Sequence, residues 1–430
     1  MVQDLINFLS DSPVSFLAVD TVARRLQSCG FVELDAACPL GEMPSGKRFY
    51  VRKNDSSIYA FRIGGKPLSE AGVHMVCAHS DSPTFRIKPN AEMRDASGLT
   101  RLNTEVYGGP ILSTWFDRPL SVAGRVILRS DNPMRPSTRL LHVRRPLMQI
   151  SNLAIHFNRA VNDGVKLSRQ HDMLPLLGLA DGNEAGRMLC DVICSELGCR
   201  RDEILDFDLY LYDTTPACTF GVHDEFISAG RLDDLSMVHA GCTALTQACD
   251  TMTDATQCLA VFDNEETGSQ TKQGAGSPFL ASLLRRMVEW QGGGEEGFHT
   301  CVERSFMVSA DNAHAWHPNY PDKYDPTNKP ILGGGPAIKF NASQKYASDA
   351  VSAAVFASIC QAASVPCQKF VNHSDVAGGS TLGNILTSSL PMRGVDMGNP
   401  ILGMHSARET GSTADHEYCI RAFRQFYVQD

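Results

Sequence analysis

The sequence predicts an α/β protein: a doubly wound, mostly parallel sheet interrupted by an inserted β-rich domain. Apolar runs that fit buried parallel strands end repeatedly in charged residues, at 73–81, 259–266, 305–311 and 401–409. Stretches of helical spacing alternate with them, at 237–249, 278–290, 349–362 and 413–427. Residues 88–220 break this pattern, being richer in arginine and in β-type runs, with no strand-to-acid motif before Asp206. The chain therefore divides into one discontinuous domain, 1–87 and 221–430, and an insert, 88–220.

Taken in order, residues 1–9 and 15–29 carry apolar residues at helical spacing, and 48–63 reads as two strands joined at the turn-rich Asn54-Asp55-Ser56. The run from Val73 to Ala78 then leads into His79-Ser80-Asp81, an arrangement in which an acid can hold the far nitrogen of a liganding imidazole. A single histidine is more often packed than liganding, so this motif needs the others. In the insert, Leu120–Leu128 and 139–150 read as strands around the turn Ser130-Asp131-Asn132-Pro133, and 184–197 reads as its one long helix. Asp233 and Asp234 stand near the start of the next helix, where capping its amides is an alternative role for one of them.

Leu259-Ala260-Val261-Phe262 runs into Asp263-Asn264-Glu265-Glu266. Neighbouring side chains at a strand end diverge, so one glutamate can bind a metal while the other takes a proton from water. Gly292-Gly293-Gly294 lacks the lysine and hydroxyl of a phosphate-binding loop and reads as a flexible turn. Ser305 to Ala310 ends at Asp311, ahead of Asn312-Ala313-His314-Ala315-Trp316-His317-Pro318, in which His314 and His317 fit either packing or substrate contact. Lys339 sits inside the apolar strand pattern at 337–340, which places it on an edge or aims it at an anion. A strand at 366–371 precedes Asp375 and the loop at 377–381, and the last apolar run, from Ile401, ends at His405.

At 430 residues the chain exceeds what one hydrophobic core usually serves, and 43% hydrophobic with 20% charged residues is an ordinary soluble composition. A formal charge of −9 disfavours a nucleic-acid partner. No apolar run approaches the roughly 18 residues of a membrane span. The first nine residues read as an amphipathic helix of the mature protein. Fourteen cysteines form no C-x-x-C pair, and Cys190 and Cys194 share one helix face, so a reduced, cytoplasmic protein is expected.

His79, Asp233, Glu266, Asp311 and His405 are thus five metal-capable residues, four of them at the end of an apolar run. They are too many for one catalytic zinc with three protein ligands and a water. They suit two metals roughly 3.5 to 4 Å apart that share a bridging carboxylate. The mixed nitrogen and oxygen set points to zinc, with manganese or cobalt also compatible.

His79-Ser80-Asp81-Ser82-Pro83, Gly230-Arg231-Leu232-Asp233, Asp263-Asn264-Glu265-Glu266, the segment from Ser309 to Tyr320, and Met404-His405-Ser406-Ala407-Arg408-Glu409 resemble the motifs of the aspartyl aminopeptidase family of dinuclear zinc exopeptidases. They follow in the family's order over nearly the whole chain. The resemblance implies one metal held by His79 and Asp311, the other by Glu266 and His405, with Asp233 bridging. It implies that Glu265 is the general base and Asp81 the acid behind His79. Lys339 matches a position that recognises the acidic side chain of the substrate's first residue. His156, in Asn152-Leu153-Ala154-Ile155-His156, matches a histidine that reaches a neighbouring subunit's active site, and the insert becomes a dimerisation domain of a tetrahedral dodecamer. Thr267 replaces a valine common in relatives, and Asn384 a proline; neither is an implied ligand.

The expected activity is removal of N-terminal aspartate or glutamate from peptides, with two zinc ions per subunit. The rivals are another dinuclear zinc amidohydrolase (a broad aminopeptidase, a carboxypeptidase or an N-acyl amino acid deacylase) and a non-catalytic oligomeric shell. The shell has no use for Glu265 beside a complete ligand set.

Overall fold

The structure is a computed structural model that describes residues 1–179 and 186–429. It contains two compact units, one made of Met1–Asp81, Ala217–Met404 and the chain from Glu409 onward, the other of Ser82–Pro216 with His405–Arg408.

The first unit is built on a nine-stranded sheet in the order Val32–Glu33, Arg48–Lys53, Ser57–Arg62, Thr256–Phe262, Val73–His79, Phe306–Ala310, Arg393–Gly398, Ala337–Phe340, Gln368–Val371. The four strands from Thr256–Phe262 to Arg393–Gly398 are mutually parallel, and Ala337–Phe340 runs against its neighbour Arg393–Gly398. These central strands are buried on both faces, as parallel strands between helices must be. Their side chains alternate between two cores. Val76, Ala78, Leu259 and Val261 pack with helices Val2–Asp11, Ser15–Ser28, Leu232–Ala248, Ala350–Ala362 and Thr413–Tyr427. Met75, Cys77, Cys258, Ala260 and Phe262 pack with helices Phe279–Trp290, Gly294–Arg304 and Leu382–Ser389. The period-2 alternation of a strand thus makes a three-layer unit, and each wholly buried large apolar side chain adds about 1.5–3 kcal/mol to it.

The second unit carries a six-stranded antiparallel sheet, ordered Ser137–His142, Leu120–Leu128, Ile204–Asp213, Thr84–Arg94, Leu99–Tyr107, Leu176–Leu179. Helix Met188–Leu197 covers it, with Leu189 and Ile193 in the same core as Phe85, Leu102 and Val126. Residues 184 and 185 of the expected helix lie outside the described residues.

The structure differs from expectation at several elements. Of Gly292-Gly293-Gly294, the first two form the expected turn, but Gly294 opens helix Gly294–Arg304, whose first turn holds Glu295 and Glu296 and whose inner face holds Phe298, Cys301 and Val302. Acids at a helix start meet its positive end, and an apolar face at i, i+3 and i+4 supplies the packing. The run from Ile401 forms only a two-residue strand, Pro400–Ile401, while the strand that enters the main sheet is Arg393–Gly398. Phe226–Ala229, ahead of Asp233, likewise lies outside the main sheet, between Cys218–Phe220 and Glu409–Ser412. The β-run at 139–150 ends as a strand at His142.

Candidate active site

In the parallel pair of strands that opens the site, Phe262 is level with His79, and Ser80 N donates to Phe262 O at 2.8 Å. On the other side of Val73–His79, Ser309 is level with Cys77, so Asp311 leaves the sheet beside His79. His79, Asp263 and Asp311 therefore emerge at the carboxyl edge of neighbouring strands, where open α/β sheets form their ligand crevice. Gly398 permits this closeness: a Cβ there would overlap the carbonyl oxygen of Asp311.

One ligand atom from each of His79, Asp233, Asp234 and Asp311, all buried, lies within 4.8 Å of the others, and the same holds for His79, Glu265 and Glu266. His79 Nε2 is 3.5 Å from Asp233 Oδ1. On the other side of the ring, Nδ1 lies 3.0 Å from the backbone oxygen of Asp81 and 3.4 Å from its carboxylate. That contact fixes the tautomer, leaving Nε2 to face the carboxylates.

Asp81 has a further task. Its Oδ1 accepts the backbone N–H of Glu265 and its Oδ2 that of Glu266, each at 3.1 Å. One buried carboxylate thus holds both glutamates from below. Asn264 helps from a left-handed conformation (φ 61°), its side-chain oxygen accepting from Thr271 Oγ1 and Gln273 Nε2 at 2.8 Å each.

Asp233 and Asp234 both have non-helical backbone, and the Asp234 carboxylate is taken up outside its helix. Asp234 Oδ2 accepts the backbone N–H of His79 at 3.0 Å and its Oδ1 the amide of Asn312 at 3.3 Å, while Asp233 N donates to Glu409 Oε2 at 3.1 Å. Glu409, Asp234 and Asn312 are site residues that the sequence reading passed over or assigned elsewhere. The doubled acid was the available signal for Asp234.

Lys339 is 3% exposed, and its Nζ is 3.4 Å from Asp311 Oδ1 and 5.7 Å from the centre of the Tyr346 ring. It faces an anion and is no edge residue. Burial disfavours its charge, but Asp311 together with Tyr346, Asp396 and Asp233 outweighs burial and raises its pKa. Tyr346 had no signal in the sequence, since only the fold brings its loop to Lys339.

Electrostatics follow from crowding acids away from water. Burial pushes Glu265 up to about 8 and Asp263, with Asp81 adding to it, up to about 7. Burial also raises Asp234 far above the carboxylate range and raises Asp311 despite Lys339. Burial works against charge on His79, yet Asp234, Asp233 and Asp81 together hold it well above its usual value. Desolvated carboxylates around one imidazole suit a divalent cation, which removes the repulsion that these shifts record.

Of the other expected residues, His405 and His156 belong to the second unit, and His314 and His317 to the first. His405, with a positive φ of 67°, belongs to the loop that packs in the second unit, its Nδ1 3.1 Å from Gly109 O. His156 is exposed in the second unit between Ile155 and an 81%-exposed Phe157. His317 accepts the backbone N–H of Asn319 at 3.2 Å and its ring lies 4.8 Å from that of Tyr320; the ring of the exposed His314 is 5.8 Å from that of Phe370.

Comparison with known proteins places the chain in a family. A family profile described as Aminopeptidase I zinc metalloprotease (M18) matches residues 8–427. A probable M18 family aminopeptidase 2 of Clostridium novyi (strain NT) is 49% identical over 425 residues, covering 99% of this chain and 98% of that one. Among solved structures, one titled as a cryo-EM structure of the Ape4 and Nbr1 complex superposes with a TM-score of 0.95 at 35% identity, covering 99% of this chain and 85% of that one. The S. cerevisiae mApe1 dodecamer superposes with a TM-score of 0.87 at 25% identity, covering 99% and 95%. Its α/β fold with a mostly parallel sheet, its buried His and carboxylate cluster and these matches make this chain a member of the M18 family of zinc metallo-aminopeptidases.

Proposed function

We propose that the enzyme removes N-terminal aspartate or glutamate from peptides, using two zinc ions. The observation that carries the acidic preference is Lys339, a buried ammonium beside the ligand candidate Asp311. In our assignment His79 and Asp311 would hold one metal and Glu266 and His405 the other, with Asp233 a ligand shared by the two. Bound there, the metals would supply an acidified water and polarise the scissile carbonyl. Glu265, held in place by Asp81, takes the proton of the attacking water and delivers it to the leaving amine. Lys339 pairs with the carboxylate of the substrate's first residue in surroundings dry enough to strengthen the pairing. His156 of a neighbouring copy helps to stabilise the tetrahedral oxyanion.

The solved dodecamer among the similar structures supports assembly into a homo-oligomer, here a dodecamer built from dimers with the second unit as the dimerisation domain. All fourteen cysteines are free and no described helix is long and apolar enough to cross a membrane; both are consistent with our cytoplasmic assignment.

The test is hydrolysis of glutamyl, aspartyl, leucyl and lysyl peptides by zinc-reconstituted protein, with bound metal quantified in the same sample. Release of the acidic residues alone, with two metals per chain, is expected. Leucine-preferring cleavage would retain the mechanism and remove Lys339 from specificity.

A further inference from the structure

Asp396 is wholly buried in the strand Arg393–Gly398. It is level with Ser309, two residues before Asp311, and the next residue in its strand, Met397, is level with Ile338 beside Lys339. A carboxylate with no exposure must be satisfied by donors, and each of its oxygens has one. Oδ2 accepts the backbone N–H of Ala347 at 2.5 Å and Oδ1 accepts Thr381 Oγ1 at 2.6 Å. Its backbone joins the same group, since Asp396 N donates to Ser348 Oγ at 2.8 Å and Ser348 Oγ lies 3.3 Å from Asp396 O.

These partners belong to two different loops. Ala347 and Ser348 directly follow Tyr346, whose ring stands over Lys339. Thr381 ends the loop at 377–381 and precedes helix Leu382–Ser389, so the carboxylate also lies at that helix's positive end. Gly383 leaves the space, since a Cβ there would overlap the Asp396 carboxylate. The charge of Asp396 also adds to the field that keeps Lys339 protonated.

We propose that Asp396 is a positioning residue for substrate specificity: it fixes the Tyr346 loop against Lys339 and, through Thr381, the loop at 377–381. It touches no substrate and acts through the two loops that it ties. This rests on the reading of Lys339 as the acceptor of an acidic first residue.

The experiment compares zinc-loaded parent, Asp396→Asn and Thr381→Ala on glutamyl and leucyl peptides, with hydrogen exchange at 344–349 read on the same proteins. Asparagine brings an amide NH2 to one of two donors, so one charge-assisted bond is lost. A glutamyl KM about tenfold higher is expected, with kcat within about twofold and leucyl kinetics unchanged. Exchange at 346–348 accelerates, and Thr381→Ala moves the same quantities by less. An equal loss on both peptides, or an unchanged glutamyl KM, overturns the proposal. If Asp396→Asn does not fold, Thr381→Ala decides by the same criteria. If the parent shows no preference for glutamyl peptides, the reading of Lys339 fails separately; Asp396 is then judged by exchange at 346–348 and by KM on the preferred peptide, and no change in either refutes it.

Discussion

Glu265 and Asp81 show how one buried carboxylate can set the chemistry of another. Glu265→Gln keeps the shape and the metal donors but removes the proton acceptor, so kcat should fall by about 10²–10⁴-fold with zinc content unchanged, as measured on glutamyl peptides. Retained turnover would place the base elsewhere. Asp81→Asn leaves an amide facing at least one of the two N–H groups of Glu265 and Glu266. Loss of that support should lower kcat at saturating zinc by about 10–100-fold. Motif spacing made Glu265 and Asp81 legible in the sequence. The pairing of Asp81 with two backbone amides was not legible, because it links residues 184 and 185 positions apart.

At the scale of elements, the strand ends concentrate carboxylates whose titration is predictable. In metal-free protein, Asp263 and Glu265 have folded pKa values of about 7 and 8, above the ordinary carboxylate range, because of burial. A raised folded pKa contributes stability that is full below the unfolded value and lost as pH rises through the folded one. The thermal midpoint of metal-free protein should therefore fall from about pH 5 to about pH 8, while the zinc-loaded protein, its carboxylates charge-compensated, should stay nearly level. Calorimetry of both forms checks this, and parallel slopes would refute it. For the same reason zinc binding should release protons near pH 7, read by titration calorimetry in buffers of different ionisation enthalpy. The helical spacing at 237–249 and the buried strand at 256–262 were readable from local pattern, whereas helix Gly294–Arg304 was hidden behind three glycines and strand Arg393–Gly398 behind a weakly apolar sequence. Packing, more than propensity, decides such segments.

For the whole molecule, assembly is the property with the sharpest test. If His156 acts in the site of a neighbouring copy, mixing inactive Glu265→Gln and His156→Ala subunits rebuilds intact sites. Random pairing across a two-fold interface would restore about a quarter of parental activity, since half the pairs are mixed and each holds one intact site of two. No recovery after verified subunit exchange would place His156 in its own subunit's site or outside the chemistry. The apolar neighbours Leu153, Ile155 and Phe157, all exposed in the single chain, are the side chains that such pairing would cover.

The sequence by itself determined the α/β class and supplied candidates for the chemistry-bearing residues. Both are written locally, in period-2 runs, helical spacing and acids at strand ends, and motif order carried the family likeness. Only the tertiary structure decided which acids face one another. His79, Asp263 and Asp311 emerge together because three strands lie side by side in parallel register, and Asp234 joins them from helix Leu232–Ala248. Asp234 became a tie to the His79 backbone in place of a helix cap, and Lys339 was aimed at Asp311. Tyr346, Glu409 and Asp396 entered by contacts across distant parts of the chain. Burial, which turned ordinary carboxylates into groups that hold protons near neutrality, is a property of the packed protein, because desolvation requires every layer around the site to be in place.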